Sequence, residues 1–347
     1  MAQDKILVTG TAGFIAFHVA RRLLEDGERV VGVDNLNDYY DPSLKRNRLA
    51  EIEDEGGFTF RKLDLADGDA TGSLFAEHDF DVVIHMAAQA GVRYSLEHPE
   101  EYVDSNLVGF VNVLEGCRHG EVENLIFASS SSVYGANRKV PFETTDPTDH
   151  PVSLYGATKK SNELLAHSYA DLYDLPCTGL RFFTVYGPWG RPDMAYFLFT
   201  DRILEGEAID VFGQGEMRRD FTYVDDVVEG VVRLCDVPAT REESWDPQDP
   251  EIGRSSAPFR IYNIGNGAPV DLMEFIEILE EKLGREAEKN YEPMQPGDVR
   301  ETWANVDGLR ETVGYEPSTS LEEGLEHFVR WYGAYYDVDA VGGEERR

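Results

Sequence analysis

A chain of 347 residues with 66 acidic and 32 basic side chains carries a formal net charge of −34, which repels nucleic-acid phosphates and anionic membrane surfaces alike. A hydrophobic share of 41% with 11% aromatics speaks for a packed protein, and the length suits two domains or one large α/β unit with an appendage. With no run of about 18 apolar residues and no charged-then-apolar leader, neither a membrane span nor export is expected, and the chain reads as cytoplasmic.

Residues 5–9 (KILVT) form a short apolar strand. Residues 14–25 have helical periodicity, with Ile15, Val19, Leu23 and Leu24 on one face and Gly27 just past the end as a C-terminal cap. Strands follow at 29–33, 58–63, 81–85, 124–128 and 176–182, with helices around 70–77, 103–116 and 153–173. This alternation predicts a doubly wound parallel sheet covered on both faces. Beyond Gly187 the elements shorten. Residues 239–258, rich in Pro, Ser, Asp and Glu, read as an exposed loop. Residues 271–283 form a helix with Asp271 as cap, Glu274 three residues on and Gly284 at the end, and 320–332 repeats the signature with Ser320 and Glu323. Three cysteines, Cys117, Cys177 and Cys235, show no motif spacing and read as buried, reduced thiols.

Gly10-Thr-Ala-Gly13-Phe-Ile-Ala16 follows the first strand and opens the first helix. Gly10 suits a tight turn, and Gly13 lets the backbone approach a pyrophosphate at the helix N-terminus. Asp34 ends the second strand, where an acid binds a ribose 2′-hydroxyl and repels a 2′-phosphate, which favours NAD over NADP. Asp64, after the third strand, is positioned for the adenine edge. The fold class is thus a Rossmann-type α/β sheet over residues 1–186 with parts of 231–264. A smaller α/β substrate-binding domain over 187–230 and 265–336 and an acidic tail at 337–347 complete the expected organisation. Tyr155 and Lys159 share one face near the start of the helix at 153–173. An ammonium near a phenol lowers its pKa toward neutral, so the pair is expected to act as a general base on a sugar hydroxyl. The serine run 129–132 leaves a strand end at the edge of the sheet where ligands bind.

Taken with the stretches 34–40 (DNLNDYY), 85–95 (HMAAQAGVRYS), 129–135, 151–155 (PVSLY), 181–193 (RFFTVYGPWGRPD), 215–225 (GEMRRDFTYVD) and 295–298 (QPGD), these motifs resemble the extended short-chain dehydrogenase/reductase family. The resemblance runs from Ile6 to about Tyr335, and members of that family modify nucleotide-sugars. It implies an isomerase: NAD-dependent 4-epimerisation of a UDP-sugar, UDP-glucuronate to UDP-galacturonate, through a transient 4-keto sugar. It implies Ser130, Tyr155 and Lys159 as catalytic residues. NAD contacts are implied at Gly10, Gly13, Phe14, Ile15, Asp34, Asn35, Asp64, Leu65, Ala87, Ala88, Tyr155 and Lys159. Ser131, Ser132 and Thr184 are implied at the C5 carboxylate, Arg191 at the carboxylate or a phosphate, Val211 and Phe212 beside the uracil, and Arg219 (with Arg218 as neighbour) at the UDP phosphates. Asp298 is implied at the UDP ribose and Arg93 on the substrate side. Alternatives are a neutral UDP-glucose/UDP-galactose 4-epimerase and a UDP-glucuronate decarboxylase. Related decarboxylases carry Glu at the position of Ser132, and related dehydratases carry Asp-Glu in the serine run. Ala16-Phe17 departs from the Gly common in the family, which should affect helix packing only.

The helices at 103–116 and 153–173 are expected to pair with their copies in a homodimer, as in relatives. No metal site, nucleic-acid partner or membrane contact is expected. The acids spread along the whole chain, and only 8 of the 32 basic residues are Lys, a balance expected of a halophile's protein.

Overall fold

The computed structural model describes residues 5–294 and 299–338. Strand β1 (Lys5–Thr9) leads through α1 (Phe14–Glu25) to β2 (Arg29–Asp34), and α2 (Pro42–Ala50), β3 (Phe58–Lys62), α3 (Gly68–Glu77) and β4 (Val82–His85) follow. Then come α4 (Tyr94–Glu97), α5 (Pro99–Val103), α6 (Gly109–His119), β5 (Asn124–Ser130), α7 (Leu154–Tyr173), β6 (Cys177–Phe182) and β7 (Thr184–Tyr186). The rest of the chain carries α8 (Ala195–Glu205), β8 (Ile209–Phe212), β9 (Arg218–Tyr223), α9 (Val224–Arg233), β10 (Phe259–Ile264) and β11 (Pro269–Asp271). It ends with α10 (Leu272–Leu283), β12 (Lys289–Glu292), β13 (Glu301–Thr302), α11 (Asp307–Val313) and α12 (Leu321–Tyr336).

Seven strands form one parallel sheet in the order β10-β6-β5-β4-β1-β2-β3. The doubly wound class expected from the alternation is the one observed. Ile6 and Val8 enter a core with Phe17 of α1 and Val227 of α9. Leu7 enters another with Leu74 of α3, Phe110 of α6 and Ala166 of α7. Side chains one apart on a strand face opposite sides, so both faces of β1 are buried. The strand order reverses between β1 and β4, and such a switch point opens a crevice at the carboxyl ends of the strands. A second sheet centres on β9, flanked by β11, β13 and β7, and β8 pairs with β12.

Several local expectations need correction. The helix expected at 103–116 is interrupted by a π turn at Asp104–Val108. The Asn106 carbonyl accepts from Asn162 Nδ2 (2.6 Å), and a side chain inserted into the helical ladder favours such a bulge. Helix α2 has no signal in the sequence pattern: its buried face presents Lys45 and Arg48 beside Leu44 and Leu49, so it lacks an apolar stripe. Asp41 caps it by accepting from Ser43 N (2.8 Å). Asp271 precedes α10 without a capping bond, its carboxylate paired instead with Arg218 (3.2 Å), whereas Ser320 caps α12 through Glu323 N (3.2 Å). The segment at 239–258 has no helix or strand, but its second half packs on edge strand β10: Gly253 O accepts from Ile261 N (2.8 Å), and Ser255 and Ala257 are buried. Cys117 and Cys177 are buried free thiols; Cys235 is half-buried. Among the described residues no helix is long and apolar enough to cross a membrane.

Candidate active site

A cleft runs along the carboxyl ends of β1, β2, β4 and β5. Its floor is the turn after β1. Gly10 has φ +73, and a Cβ there would lie 2.9 Å from the backbone N and Cα of Ala87. A Cβ on Gly13 would lie 2.8 Å from Gly10 O. Only glycine fits both positions, and the backbone is thereby exposed to whatever occupies the cleft. Gly13 begins α1 with no side-chain cap, so the first amides of the helix remain available to an anion. Ala16 is buried in helix packing, as expected, and also forms part of the cleft wall.

Asp34, at the end of β2, accepts from Ala12 N (3.2 Å) and Leu36 N (2.8 Å). Burial raises its pKa, against the opposing field of Lys45 and these two amides. Beside it Asn35 Nδ2 donates to Asp64 (3.1 Å). Lys45 lines the cleft from α2 and donates to the backbone O of Asn37 (3.0 Å) and to its side-chain oxygen.

Across the cleft, Ser153 caps α7 by accepting from Gly156 N (3.0 Å), which places Tyr155 and Lys159 in its first turns. Lys159 is buried and donates to Ala128 O (2.9 Å) at the end of β5; burial pushes its pKa down to about 7. The expected lowering of the Tyr155 phenol by Lys159 needs correction. Burial raises the Tyr155 pKa, and the opposing influences come from Ser130 and Arg191. The desolvation of the phenolate outweighs the available cations. Ser130 itself accepts from Ser132 N (3.1 Å).

Beneath this wall lies a buried ion pair. Glu163 of α7 accepts from Arg181 Nε (2.8 Å) and Nη2 (3.0 Å) and from Ser129 Oγ (2.7 Å). Arg181 is fully buried, its guanidinium 4.8 Å from the centre of the Tyr134 ring. Burial would push the Glu163 carboxyl up, but Arg181 holds it below the usual carboxylate value.

The cleft collects every residue expected at a dinucleotide, from Gly10 to Lys159, together with Ser130 and Arg191. Arg191 is paired with Asp193 (3.0 and 2.5 Å), which also accepts from Tyr39 (3.1 Å). The remaining expected substrate residues lie off this wall. Ser131 and Ser132 sit in the 3₁₀ turn after β5, and Thr184 follows cleft-lining Phe183. Arg93 stacks on the Phe212 ring (5.1 Å). The alternation of β8 turns the Val211 side chain into the core, so of that pair only Phe212 is partly exposed. Arg219 donates to the carbonyls of Arg218, Val299 and Arg300, and Arg218 pairs with Asp271 and Glu301. Asp298 lies outside the described residues.

Cleft residues not singled out from the sequence include Tyr39, Lys45, Gln89, Ser105, Phe182 and Met194. Tyr39, Gln89 and Phe182 fall inside recognisable motifs whose spacing does not single them out; Lys45 sits on the helix that lacks an apolar stripe. Among the described residues no group of His, Cys, Asp and Glu is arranged to hold a metal ion.

A family model for the NAD-dependent epimerase/dehydratase family matches residues 6–265. A probable UDP-glucuronate 4-epimerase of Rhizobium meliloti is 51% identical over 96% of this chain and 98% of its own length. The solved UDP-glucuronic acid 4-epimerase of Bacillus cereus, in complex with UDP-glucuronic acid and NAD, is similar with a TM-score of 0.84 at 34% identity, covering 96% of this chain and 100% of that one. The UDP-glucose 4-epimerase of Thermotoga maritima, solved with UDP-glucose, follows with a TM-score of 0.81 at 34% identity, covering 96% and 99%.

Proposed function

Because the chain belongs to the NAD-dependent epimerase/dehydratase family, we propose that it uses bound NAD to interconvert UDP-glucuronate and UDP-galacturonate by 4-epimerisation. One observation carries the reading: Tyr155 and Lys159 face the same cleft as the Gly10–Gly13 turn, and serines rather than carboxylates follow β5 beside them. The cleft suits a dinucleotide, with a turn that only glycine can form, uncapped amides at the start of α1, and Asp34 at the ribose position.

When bound, NAD supplies the acceptor and donor of a hydride. Tyr155 takes the proton of the sugar 4-hydroxyl and returns it after the 4-keto sugar has turned over. Ser130, which lies against Tyr155 and opposes the rise in its pKa, bonds the same oxygen. Lys159 binds the nicotinamide ribose. The 4-keto uronate is a β-keto acid, prone to lose CO2, so its carboxylate must be held firmly. Ser131, Ser132 and Thr184 provide neutral donors for it, and Arg191 provides charge. A serine at position 132, where related decarboxylases carry Glu, supports retention of the carboxylate. Arg219 holds the UDP phosphates, with Phe212 against the uracil and Arg93 nearby. The described residues of 1–186 with parts of 231–264 form the cofactor domain, and those of 187–230 with 265–336 form the UDP-sugar domain.

Incubation with UDP-glucuronate and no added NAD, followed by NMR, should yield UDP-galacturonate without NADH accumulation. UDP-xylose as product would move the reading to a decarboxylase. Equal turnover of UDP-glucose would move it to the neutral-sugar epimerase.

The protein acts as a homodimer in a salt-rich cytoplasm. Support for the dimer comes from apolar side chains left exposed beside and along α6 and α7: Val103, Val108, Leu164 and Leu172. Support for the compartment comes from cysteines that form no disulfide among the described residues, and for the salt from the charge of −34. Light scattering in molar KCl, showing a dimer that a Leu172→Glu variant splits, tests the assembly.

A further inference from the structure

Gln89 is 2% exposed and lines the cleft, and its side-chain nitrogen has no hydrogen-bond partner among the described residues beyond the approach of the Tyr102 phenol. Its backbone is clamped on both sides by one residue. Gln89 N donates to Asn106 Oδ1 (2.8 Å), and Gln89 O accepts from Asn106 Nδ2 (3.0 Å). Asn106 lies in the π turn and also donates to Thr158 of α7 (3.0 Å). The carboxamide therefore starts from a fixed point.

Its orientation follows from a chain of donors. The Lys45 ammonium has protons only to give, so the atom of Asn37 that meets it must be the oxygen. That leaves Asn37 Nδ2 to face Gln89, and Gln89 must answer with Oε1 (3.3 Å). The NH2 end is thereby set free of Asn37, with two protons to place. It lies close enough to the Tyr102 phenol to oppose the rise in that group's pKa. The Tyr102 hydroxyl gives its own proton to the carbonyls of Ala90 and Gly91. It can satisfy at most one of the two Gln89 protons. A buried amide with an unspent donor is costly unless something else accepts from it.

The position identifies that acceptor. Asn37, which holds one end of the carboxamide, is three residues past Asp34; Ala87, two residues before Gln89, packs against Gly10. Gln89 thus sits on the dinucleotide side of the cleft, between the glycine turn and the Tyr155 helix. We propose that Gln89 is a cofactor-binding residue whose Nε2 donates to an oxygen of the bound dinucleotide, held in that orientation by the Lys45–Asn37 relay. The proposal rests on the dinucleotide reading of the cleft.

The test compares NADH binding, followed by nicotinamide fluorescence, in wild type, Gln89→Leu and Gln89→Glu, with the NAD retained through purification measured in each. Glu keeps the oxygen that Asn37 needs and replaces only the donor. Gln89→Leu should bind about tenfold more weakly at every pH, a factor that corresponds to about 1.4 kcal/mol. Gln89→Glu should be at least as weak at pH 8.5, where the ionised carboxylate can only accept. Unfolding midpoints of the stripped proteins separate lost binding from lost folding: Gln89→Leu, which also deprives Asn37 of its acceptor, is the variant expected to lose some stability, and binding is compared at a temperature where every variant is folded. Wild-type affinity in Gln89→Leu, or in Gln89→Glu at pH 8.5, would overturn the proposal alone. Absence from wild type both of retained NAD and of NADH binding would overturn the cofactor reading and the proposal with it.

Discussion

Replacing Glu163 by Gln is expected to damage this protein more than any change at its surface. The carboxylate is 3% exposed and takes two hydrogen bonds from Arg181, which is 0% exposed, and a third from Ser129. Lys160 lies 3.3 Å from its other side. Gln preserves the shape but leaves the guanidinium buried without a counter-charge, a class of change that costs about 3–5 kcal/mol. At about 2–4 °C per kcal/mol for domains of 150–250 residues, the melting temperature should fall by roughly 10 °C. Thermal melts followed by circular dichroism measure this directly. The double variant Glu163→Gln with Arg181→Met removes both charges and should recover most of the loss, because desolvating the pair is itself expensive. The acid limb offers an independent check. Arg181 holds the Glu163 pKa below its usual value, so the stability it contributes is present above the unfolded pKa and is lost as pH falls through the folded one. Glu163→Gln should flatten that part of the profile. A single variant within 1 kcal/mol of wild type, or a double variant no better than the single, would refute the reasoning.

Other expectations follow from the same geometry. Lys159 has its pKa lowered to about 7 from 10.5, so the stripped protein should gain stability as pH rises between those values, and Lys159→Met should abolish the slope in denaturant titrations. Gly10→Ala forces a Cβ to 2.9 Å from the Ala87 backbone at φ +73; a loss of at least about 1–2 kcal/mol and near-abolished NADH binding by fluorescence are expected. Tyr155→Phe should lower epimerisation by about 10²–10⁴-fold in an NMR time course, with the loss persisting when rates are normalised to the bound NAD content.

Local physics made much of this protein legible before any coordinates. The first helix begins and ends where its periodicity and flanking glycines require, because caps and apolar spacing act within a few residues. The glycine turn, Asp34 and the Tyr155–Lys159 spacing were recognisable for the same reason, and the alternation of strand and helix leaves few topologies to choose from. Tertiary structure decided what depends on partners distant in the chain. Helix α2 forms on a face of cations because Arg48 finds the carbonyls of Trp189 and Gly190, more than 140 residues away. Asn162 bonds to Asn106 at the bulge in the expected helix at 103–116, across a separation of 56. Arg191 was legible as a charge but not as the partner of Asp193 and, through it, of Tyr39. The Tyr155 phenol was read from its neighbour Lys159, yet the sign of its shift is set by burial, a property of the packed whole. Sequence determines which groups are present and how the backbone turns locally. Only the fold sets their dielectric surroundings and pairs each buried charge or amide with the group that answers it.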